Sequence, residues 1–336
     1  MLRLVRLLLL LAAVSLAAYF ALVNYVTNTR ITFNDTIISV PAGSSAALLC
    51  RQWMQQQLVS DAQCIALKIY LRLHPAQAQV QQGVYRVAPD TAILDLLALF
   101  RSGKEAQFAI TLIEGETVQQ SLQRIARAEY LVNDVDTVEQ LSKLTTWPDA
   151  WGEVPSSAEA MLFPDTYYYT ANSKASDLVK RSQNALLQQL DLAWQHRQRD
   201  LPLANPYQLL ILASIIEKES SYPPEKTLVA SVFVNRLRKN MRLQTDPTVI
   251  YGLDNFNGNI TRADLNNPHP YNTYRHKGLP PGPISLVSQA SLLAAANPAE
   301  TDLYYFVAKG DGTHQFSSTL QQHNAAVKQY IFGAKP

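Results

Sequence analysis

Two carboxylates at the end of an apolar helix are the residues of this chain best placed to do chemistry. Glu217 and Glu219 follow the run 209–216, which reads Leu-Leu-Ile-Leu-Ala-Ser-Ile-Ile. A run that is apolar on every side is typical of a buried helix, and this one is too short to cross a membrane. Apolar surroundings raise the pKa of a carboxyl group, which can then donate a proton near neutral pH. Such a glutamic acid would suit protonation of a glycosidic oxygen.

The helix that carries the two carboxylates has recognisable ends. Asn205 is a good N-cap, Pro206 is allowed at the first helical position, and Pro223 and Pro224 stop the helix. The helix alone does not choose between the carboxylates, because residues two apart face different ways and each continues an apolar stripe. Carboxylates at a helix end are also common on solvated surfaces, so a non-catalytic alternative stays open.

Long segments around this helix resemble the YceG-like family of endolytic murein transglycosylases. They occur in the family's order and, together with an apolar N-terminus, extend the resemblance over nearly the whole chain. The segments are GVYRVAPDTAILDLLALFRSGK (83–104), LFPDTYYYT (162–170), LASIIEKES (212–220), VASVFVNRLRKNMRLQTDPTVIYGL (229–253), PYNTYRHKGLPPGPI (270–284) and NPAETDLYYFVAKGDGTHQFSSTLQQHN (297–324). One departure is Ala158-Glu159-Ala160-Met161, where the family usually has an acidic residue followed by glycine.

The resemblance also implies which residues form the site. Lytic transglycosylases have a catalytic Glu followed by Ser, then a Leu-x-Gln-type loop, then a Tyr-Asn segment; these look like Glu219-Ser220, Leu243-Gln244 and Tyr271-Asn272. The comparison favours Glu219 as the single acid and base. The expected substrate-binding residues are Gln244, Thr245, Tyr251, Tyr271 and Asn272.

The reaction implied by the resemblance is internal cleavage of nascent peptidoglycan. Glu219 would protonate the oxygen between N-acetylmuramic acid and N-acetylglucosamine, then take a proton from the 6-hydroxyl as a 1,6-anhydro ring closes. This activity would limit glycan strand length, with peptidoglycan synthases of the penicillin-binding protein class as possible partners. No metal or cofactor is expected. His269, His276, His314 and His323 are interpreted as solvated or structural rather than as metal ligands.

Two other functions remain possible from the sequence. The chain could be a membrane-tethered peptidoglycan-binding scaffold with a vestigial glutamate. It could also be a muramidase that adds water, which needs a second carboxylate; Glu217 and Asp246 are the candidates.

The N-terminus predicts a single-pass membrane anchor. Residues 7–26 form an apolar run of a length that crosses a bilayer, and residues 1–6 include Arg3 and Arg6. The positive-inside rule places residues 1–6 in the cytoplasm and the body outside the cytoplasmic (inner) membrane. A cleaved signal peptide, with Ser15-Leu16-Ala17 as cleavage site, is the alternative. Both readings export the body.

Charge argues against a nucleic-acid partner. The chain has 29 basic and 27 acidic residues, so without Arg3 and Arg6 the body is formally neutral. Nucleic-acid binding needs a basic surface that displaces counterions. A neutral body suits a glycan.

Residues 30–105 predict a small α/β module. Strands are expected at 31–33 and 36–40 around a turn, helices at 46–58 and 61–73, a strand at 82–87, and a helix that ends near Gly103. This order resembles the LysM-type glycan-binding unit, and a spacer without binding activity is the alternative. Cys50 and Cys64 could form a disulfide or stay as buried thiols.

Residues 106–336 are the expected catalytic domain, which makes the whole protein α+β. A strand at 108–113 and helices that end near residue 128 and span 176–199, 206–219 and 226–239 are predicted, with 130–160 as a loop-rich connection. The helical centre around Glu219 is expected to be lysozyme-like.

Overall fold

The computed structural model describes residues 1–333 and has a mixed α and β architecture. The chain divides into two compact units. The N-terminal unit contains Met1–Phe108 and the short segment Tyr169–Asn172, and the C-terminal unit contains Ala109–Tyr168 and the chain from Ser173 onwards.

The N-terminal unit begins with one long apolar helix, α1 (Leu2–Thr27). An 18-residue window of this helix has a mean hydropathy of 2.3, and the helix is long enough for a single membrane span. The side chains from residue 1 to residue 21 are exposed on all sides, as a helix surrounded by lipid would be. The last turns differ, because Val26 is only 1% exposed and belongs to the core of the N-terminal unit.

The rest of this unit is a small α/β module, as predicted. Its strands are β1 (Arg30–Thr32), β2 (Ile37–Val40), β3 (Gly83–Arg86) and β4 (Asp90–Ala92), and its helices are α2 (Ala46–Gln55), α3 (Asp61–Leu73) and α4 (Ile93–Ser102). The expectation that β1 and β2 flank a turn is correct, but they do not pair with each other. Antiparallel pairing joins β1 to β4 and β2 to β3.

A disulfide and an aromatic core hold the module together. Cys50 of α2 is bonded to Cys64 of α3, which settles the open question in favour of the disulfide. Trp53, Tyr85 and Phe100 are almost fully buried and pack ring against ring. The order β2-α2-α3-β3 is the one predicted from the sequence, whereas kinship with LysM units stays a prediction.

The C-terminal unit is dominated by helices. They are α5 (Val118–Ala126), α6 (Val138–Leu144), α7 (Ala175–Gln195), α8 (Pro206–Glu219), α9 (Lys226–Arg238), α10 (Asp246–Tyr251), α11 (Arg262–Asn266), α12 (Gln289–Ala296) and α13 (Leu320–Tyr330). Strand β5 (Gln107–Thr111) pairs with β6 (Thr166–Thr170), and β7 (Tyr305–Ala308) pairs with β8 (His314–Ser317) in an antiparallel hairpin.

The connection 130–160 is less irregular than predicted. It contains the short helix α6, whose N-cap Thr137 accepts a hydrogen bond from the backbone of Gln140 while the Gln140 side chain returns one to the cap. This reciprocal cap stabilises a helix of only two turns. Leu141 is the side chain that α6 buries.

Helix α8 lies at the centre of this unit. The Asn205 side chain caps it by accepting a hydrogen bond from the backbone of Gln208, and its apolar residues from Leu209 to Ile216 are all buried. Helices α7, α9, α10 and α12 pack against it. Burial on every side explains the absence of a polar face, and it leaves the C-terminal end of α8 as the place where polar side chains emerge.

Candidate active site

The two glutamates at the end of α8 lie in different surroundings. The carboxylate of Glu217 accepts hydrogen bonds from Lys226 Nζ at 3.0 Å and from the backbone nitrogen of Ser288 at 2.9 Å. Both members of the Glu217–Lys226 ion pair are about 5% exposed. Burial alone would raise the pKa of Glu217, but the hydrogen bonds from Ser288 and the charge of Lys226 hold it below its usual range. Glu217 is therefore a structural anion.

Glu219 faces a cavity instead. Its Oε1 accepts a hydrogen bond from Thr245 Oγ1, whereas Arg236 and His314 act on it only through space. Burial raises the pKa of Glu219 to about 7; the hydrogen bond from Thr245 opposes this increase, and the negative charge of Asp246 adds a smaller increase. A carboxyl with this pKa is present in both protonation states near neutral pH, so it can both give a proton away and take one back.

The cavity at Glu219 has a volume of about 420 Å³ and mixes polar groups with apolar walls. Helices α8, α9, α10 and α13, strand β7 and the loops before α10 and after α11 supply its lining. The lining residues are Glu219, Arg236, Leu243, Gln244, Asp246, Tyr274, Tyr305, Phe306, Val307, Leu320, His323 and Val327. Such a mixture suits a ligand that presents both hydroxyl groups and ring faces.

The loop before α10 is held in place by a second loop. The backbone nitrogen of Gln244 donates to Thr273 O at 3.2 Å, and that of Thr245 donates to Thr273 Oγ1 at 3.1 Å. Gln244 has a φ of +50°, in the left-handed region that non-glycine residues seldom adopt. This local turn leaves the Gln244 side chain exposed at the cavity and directs the Thr245 hydroxyl to Glu219.

Asn272 organises the second loop from within. Its side-chain nitrogen donates to the carbonyl oxygens of Asp264, Leu265 and Asn267, and its side-chain oxygen accepts from the backbone of Tyr274. The residue is 1% exposed, and its amide is fully occupied inside the protein. Its part in the site is to place Tyr274, whose hydroxyl donates to Asp246 Oδ1 at 2.6 Å.

The predicted site residues therefore fall into two groups. Glu219, Gln244 and Thr245 come together at the cavity or directly behind it, whereas Tyr251 and Tyr271 lie in a neighbouring aromatic cluster. The Tyr251 hydroxyl donates to Glu159 Oε2 at 3.1 Å, and the rings of Tyr251 and Tyr271 are 4.8 Å apart.

A second cavity, of about 700 Å³, borders this cluster. The two cavities adjoin at the C-terminal end of α8 and the start of α10. Lys218 and Pro247 line the second cavity, and the next residue of α8 and the preceding residue of α10 line the first. Glu159 lies in its wall with its pKa raised by burial, although backbone nitrogens and Tyr251 oppose that increase. The close packing nearby needs Gly282, because a Cβ there would come within 2.7 Å of the Tyr271 hydroxyl.

Four residues of the first cavity were not singled out from the sequence. Arg236 donates to the carbonyl oxygens of Leu243 and Tyr304 and thereby fixes the cavity wall. Tyr274, Tyr305 and His323 complete the group. His323 was interpreted as solvated or structural, yet it lines the cavity. Among the described residues, its Nδ1 is a buried atom without a hydrogen-bond partner. Burial, followed by the charge of Arg236, lowers its pKa, so the ring is neutral.

Comparison with known proteins places this site in a family. Residues 38–329 match the YceG-like family. A protein of Bacillus subtilis (strain 168) named endolytic murein transglycosylase is 30% identical over 310 residues, which cover 88% of this chain and 84% of that protein. A protein of the same name from Streptococcus pneumoniae R6 is 26% identical over 282 residues, and the match spans only 51% of its length.

A solved structure agrees with the family match. The crystal structure of a YceG-like protein of Listeria monocytogenes aligns with a TM-score of 0.54 and 28% identity, over 89% of this chain and 99% of that one. The matched residues 38–329 begin after α1 and β1, and they include parts of both units and the end of α8 with Glu219. By the length of this match and by its curated relatives, the chain belongs to the YceG-like family.

Proposed function

We propose that the protein is an endolytic murein transglycosylase, a lyase that cleaves peptidoglycan strands between N-acetylmuramic acid and N-acetylglucosamine. The observation that carries this proposal is Glu219, whose pKa is raised by burial to about 7, in a cavity with both polar and apolar walls. The name shared by its relatives, endolytic murein transglycosylase, supports the same activity. Cleavage within nascent strands would limit their length.

The proposed reaction uses one residue twice. The Glu219 carboxyl gives its proton to the glycosidic oxygen, and the bond from that oxygen to C1 of the muramic acid breaks. The 6-hydroxyl of the same sugar then attacks C1, and its proton passes to the Glu219 carboxylate. The products are a 1,6-anhydro end and a free 4-hydroxyl, and no water is consumed. Closure within one sugar replaces a bimolecular attack by an intramolecular one.

The neighbours of Glu219 support both halves of this cycle. Thr245 donates a hydrogen bond to Glu219, which stabilises the carboxylate, while burial and the charge of Asp246 stabilise the protonated form. Gln244, Tyr305 and His323 present amide, phenol and imidazole groups to the cavity. Groups of these types bind sugar hydroxyl and acetamido groups. Tyr251 and Tyr271 would bind more distant parts of the strand, along the second cavity.

A muramidase that adds water is the second candidate, because Asp246 lies in the same cavity as Glu219. It would need Asp246 to activate a water, and the Tyr274 hydroxyl already donates to that carboxylate. Glu217, the other candidate from the sequence, is committed to Lys226 and Ser288. A scaffold without catalysis would leave the raised pKa of Glu219 without a purpose.

The proposal includes the location of the protein. Helix α1 would cross the cytoplasmic membrane once, with Arg3 and Arg6 on the cytoplasmic side and the body on the side of the peptidoglycan. Peptidoglycan synthases would be the partners that supply nascent strands, and the LysM-like module would bind glycan.

The test is digestion of purified peptidoglycan by the full-length protein, followed by mass spectrometry of the fragments. Wild type is compared with Glu219→Gln and with Glu139→Gln, an exposed glutamate of α6 that serves as the matched control. Anhydro-muramic ends from wild type and the control, and none from Glu219→Gln, are expected. Hydrated reducing ends that disappear with Asp246→Asn would establish the muramidase instead. No cleavage by wild type or by any variant would favour the scaffold, and equal cleavage by wild type and Glu219→Gln would move the catalytic role to another residue.

A further inference from the structure

The lipid-exposed part of α1 is too short for the bilayer that it is proposed to span. From Leu7, just after the last N-terminal arginine, to residue 21, every side chain of the helix is exposed, although Tyr19 also contacts His74 of the module. These residues rise about 21 Å at 1.5 Å per residue, whereas a hydrocarbon core is about 30 Å thick. The rest of the apolar run is taken up by the module, because Leu22 and Val23 pack against its core and Val26 lies inside it.

Part of the module lies beside the apolar part of α1, at the level where the helix is too short to span the bilayer alone. The hydroxyl of Tyr19 and Nε2 of His74 are 3.2 Å apart. His74 directly follows α3, and its ring also contacts Tyr70 of α3, with centroids 4.4 Å apart. Tyr19 precedes Val26 by about two helical turns, or roughly 10 Å along the axis. The C-terminal end of α3 therefore lies at a level where the anchor is still apolar.

The outer face of α3 has the composition of a membrane interface. Ile65, Ile69 and Leu73 follow one another at steps of four and are 57%, 48% and 55% exposed. Residues at this spacing form a single stripe. Lys68 and Arg72 are exposed beside the stripe. Apolar side chains with long basic neighbours are the pattern of helices that lie in the headgroup region of a bilayer.

We propose that this face of α3 is immersed in the lipid leaflet on the side of the body. Phospholipids cover Ile65, Ile69 and Leu73, and Lys68 and Arg72 bind the lipid phosphates. The module thereby supplies the apolar depth that α1 lacks. Lipid is favoured over a protein partner because this face is continuous with the membrane helix. Tyr19 of α1 contacts His74, which follows α3, so the exposed surfaces of the two helices adjoin. The inference rests on α1 spanning the membrane, as proposed above.

The test uses tryptophan as a depth reporter in the full-length protein. The protein is reconstituted in vesicles of phosphatidylethanolamine and phosphatidylglycerol whose acyl chains carry bromine either close to the headgroup or near the chain end. Fluorescence quenching is measured relative to wild type, which has the four native tryptophans. The variants are Ile69→Trp on the α3 face, Leu11→Trp in the middle of α1, and Gln56→Trp as the matched control. Gln56 is exposed just before the N-terminal end of α3, about 18 Å along the helix from its other end.

The expected result has three parts. Leu11→Trp is quenched most by deep bromine, Ile69→Trp at least about twofold by shallow bromine, and Gln56→Trp by neither. Quenching at residue 11 without quenching at residue 69 would overturn the inference while the anchor stands. Absence of quenching at residue 11 would overturn the anchor and the inference together. A blue shift at residue 69 that bromine does not quench would mean that protein, such as a second copy, covers the face.

Charge reversal tests the basic pair separately. In the Ile69→Trp protein, Lys68→Glu together with Arg72→Glu should reduce shallow quenching in vesicles that contain phosphatidylglycerol. Unchanged quenching would overturn the role of the two basic residues.

Discussion

The two glutamates at the C-terminal end of α8 lie in contrasting environments. On one side, Glu217 is an ion bound by a lysine and two serine groups in a closed environment. On the other side, Glu219 meets one threonine and a cavity, and its pKa is about 7. Both carboxyl groups lose water on folding, so burial by itself does not separate them.

What separates the two glutamates is how far hydrogen-bond donors inside the protein replace the lost hydration. Hydrogen bonds from Ser288, together with the charge of Lys226 at 3.0 Å, make the ionised form of Glu217 the stable one. Glu219 accepts a hydrogen bond from Thr245 alone, so burial favours its neutral form, and the negative charge of Asp246 adds to this. One helix end thus holds a structural anion and a proton donor two residues apart.

The largest expected effect is the contrast between two substitutions of the same kind. Glu219→Gln removes the proton donor and should lower the rate of strand cleavage by about 1000-fold or more. Glu217→Gln leaves Lys226 buried without a counter-charge and should lower the free energy of unfolding by about 3–5 kcal/mol. Cleavage kinetics and denaturant unfolding of both variants measure the two effects.

A second substitution separates charge from shape at Glu217. Lys226→Met added to Glu217→Gln removes the unpaired cation and should recover part of the lost stability. If Glu217→Gln abolished cleavage in a fully folded protein while Glu219→Gln remained active, the assignment of the two roles would be reversed.

The next effect is smaller and concerns stability at alkaline pH. The pKa of Glu219 is higher in the folded protein than in the unfolded chain, so its stabilising contribution is complete at low pH and is lost as pH rises through about 7. Glu219→Gln has no such loss. At pH 8 it should therefore be more stable than wild type by about 1–3 kcal/mol, with little difference at pH 5. Unfolding curves of both proteins at pH 5 and pH 8 measure this effect. The same difference in free energy of unfolding at both pH values would contradict the prediction.

The smallest effect is a shift of the pH profile. Cleavage requires protonated Glu219, so kcat/KM should fall above about pH 7. Asp246→Asn removes a charge that raises this pKa and should move the fall to lower pH. Thr245→Val removes a hydrogen bond that lowers the pKa and should move the fall to higher pH. Shifts of about half a unit in opposite directions are expected; shifts in one direction would assign the fall to another group.

Local signals explain which elements could be predicted from the sequence. Helix α3 has the predicted bounds because Ser60 and Gln63 cap each other at its start, and α8 has them because Asn205 and Pro206 begin it. The same kind of cap at Thr137 marks α6, so the signal for that helix was present in a stretch interpreted as a loop. Propensity and capping act within a few residues and are readable in one sequence.

The candidate site depends on contacts that no local signal contains. The difference between Glu217 and Glu219 arises from Lys226 and Ser288, and the cavity wall requires α13 to bring His323 near α9. Family resemblance favoured Glu219 where periodicity could not decide, and it suggested Asn272 as a substrate contact. The structure gives Asn272 four internal hydrogen bonds, a role that motif comparison does not distinguish from substrate contact.

The burial of Val26 has a consequence for how the protein is made. Helix α1 leaves the ribosome first, yet its last turn is part of the core that the module needs. We therefore expect the module to be less stable without α1, because removal of the helix would expose apolar side chains of its core. For the same reason, replacing α1 with an unrelated membrane helix would disturb the module as well as the attachment. Helix α1 is therefore a structural part of the module as well as its membrane anchor.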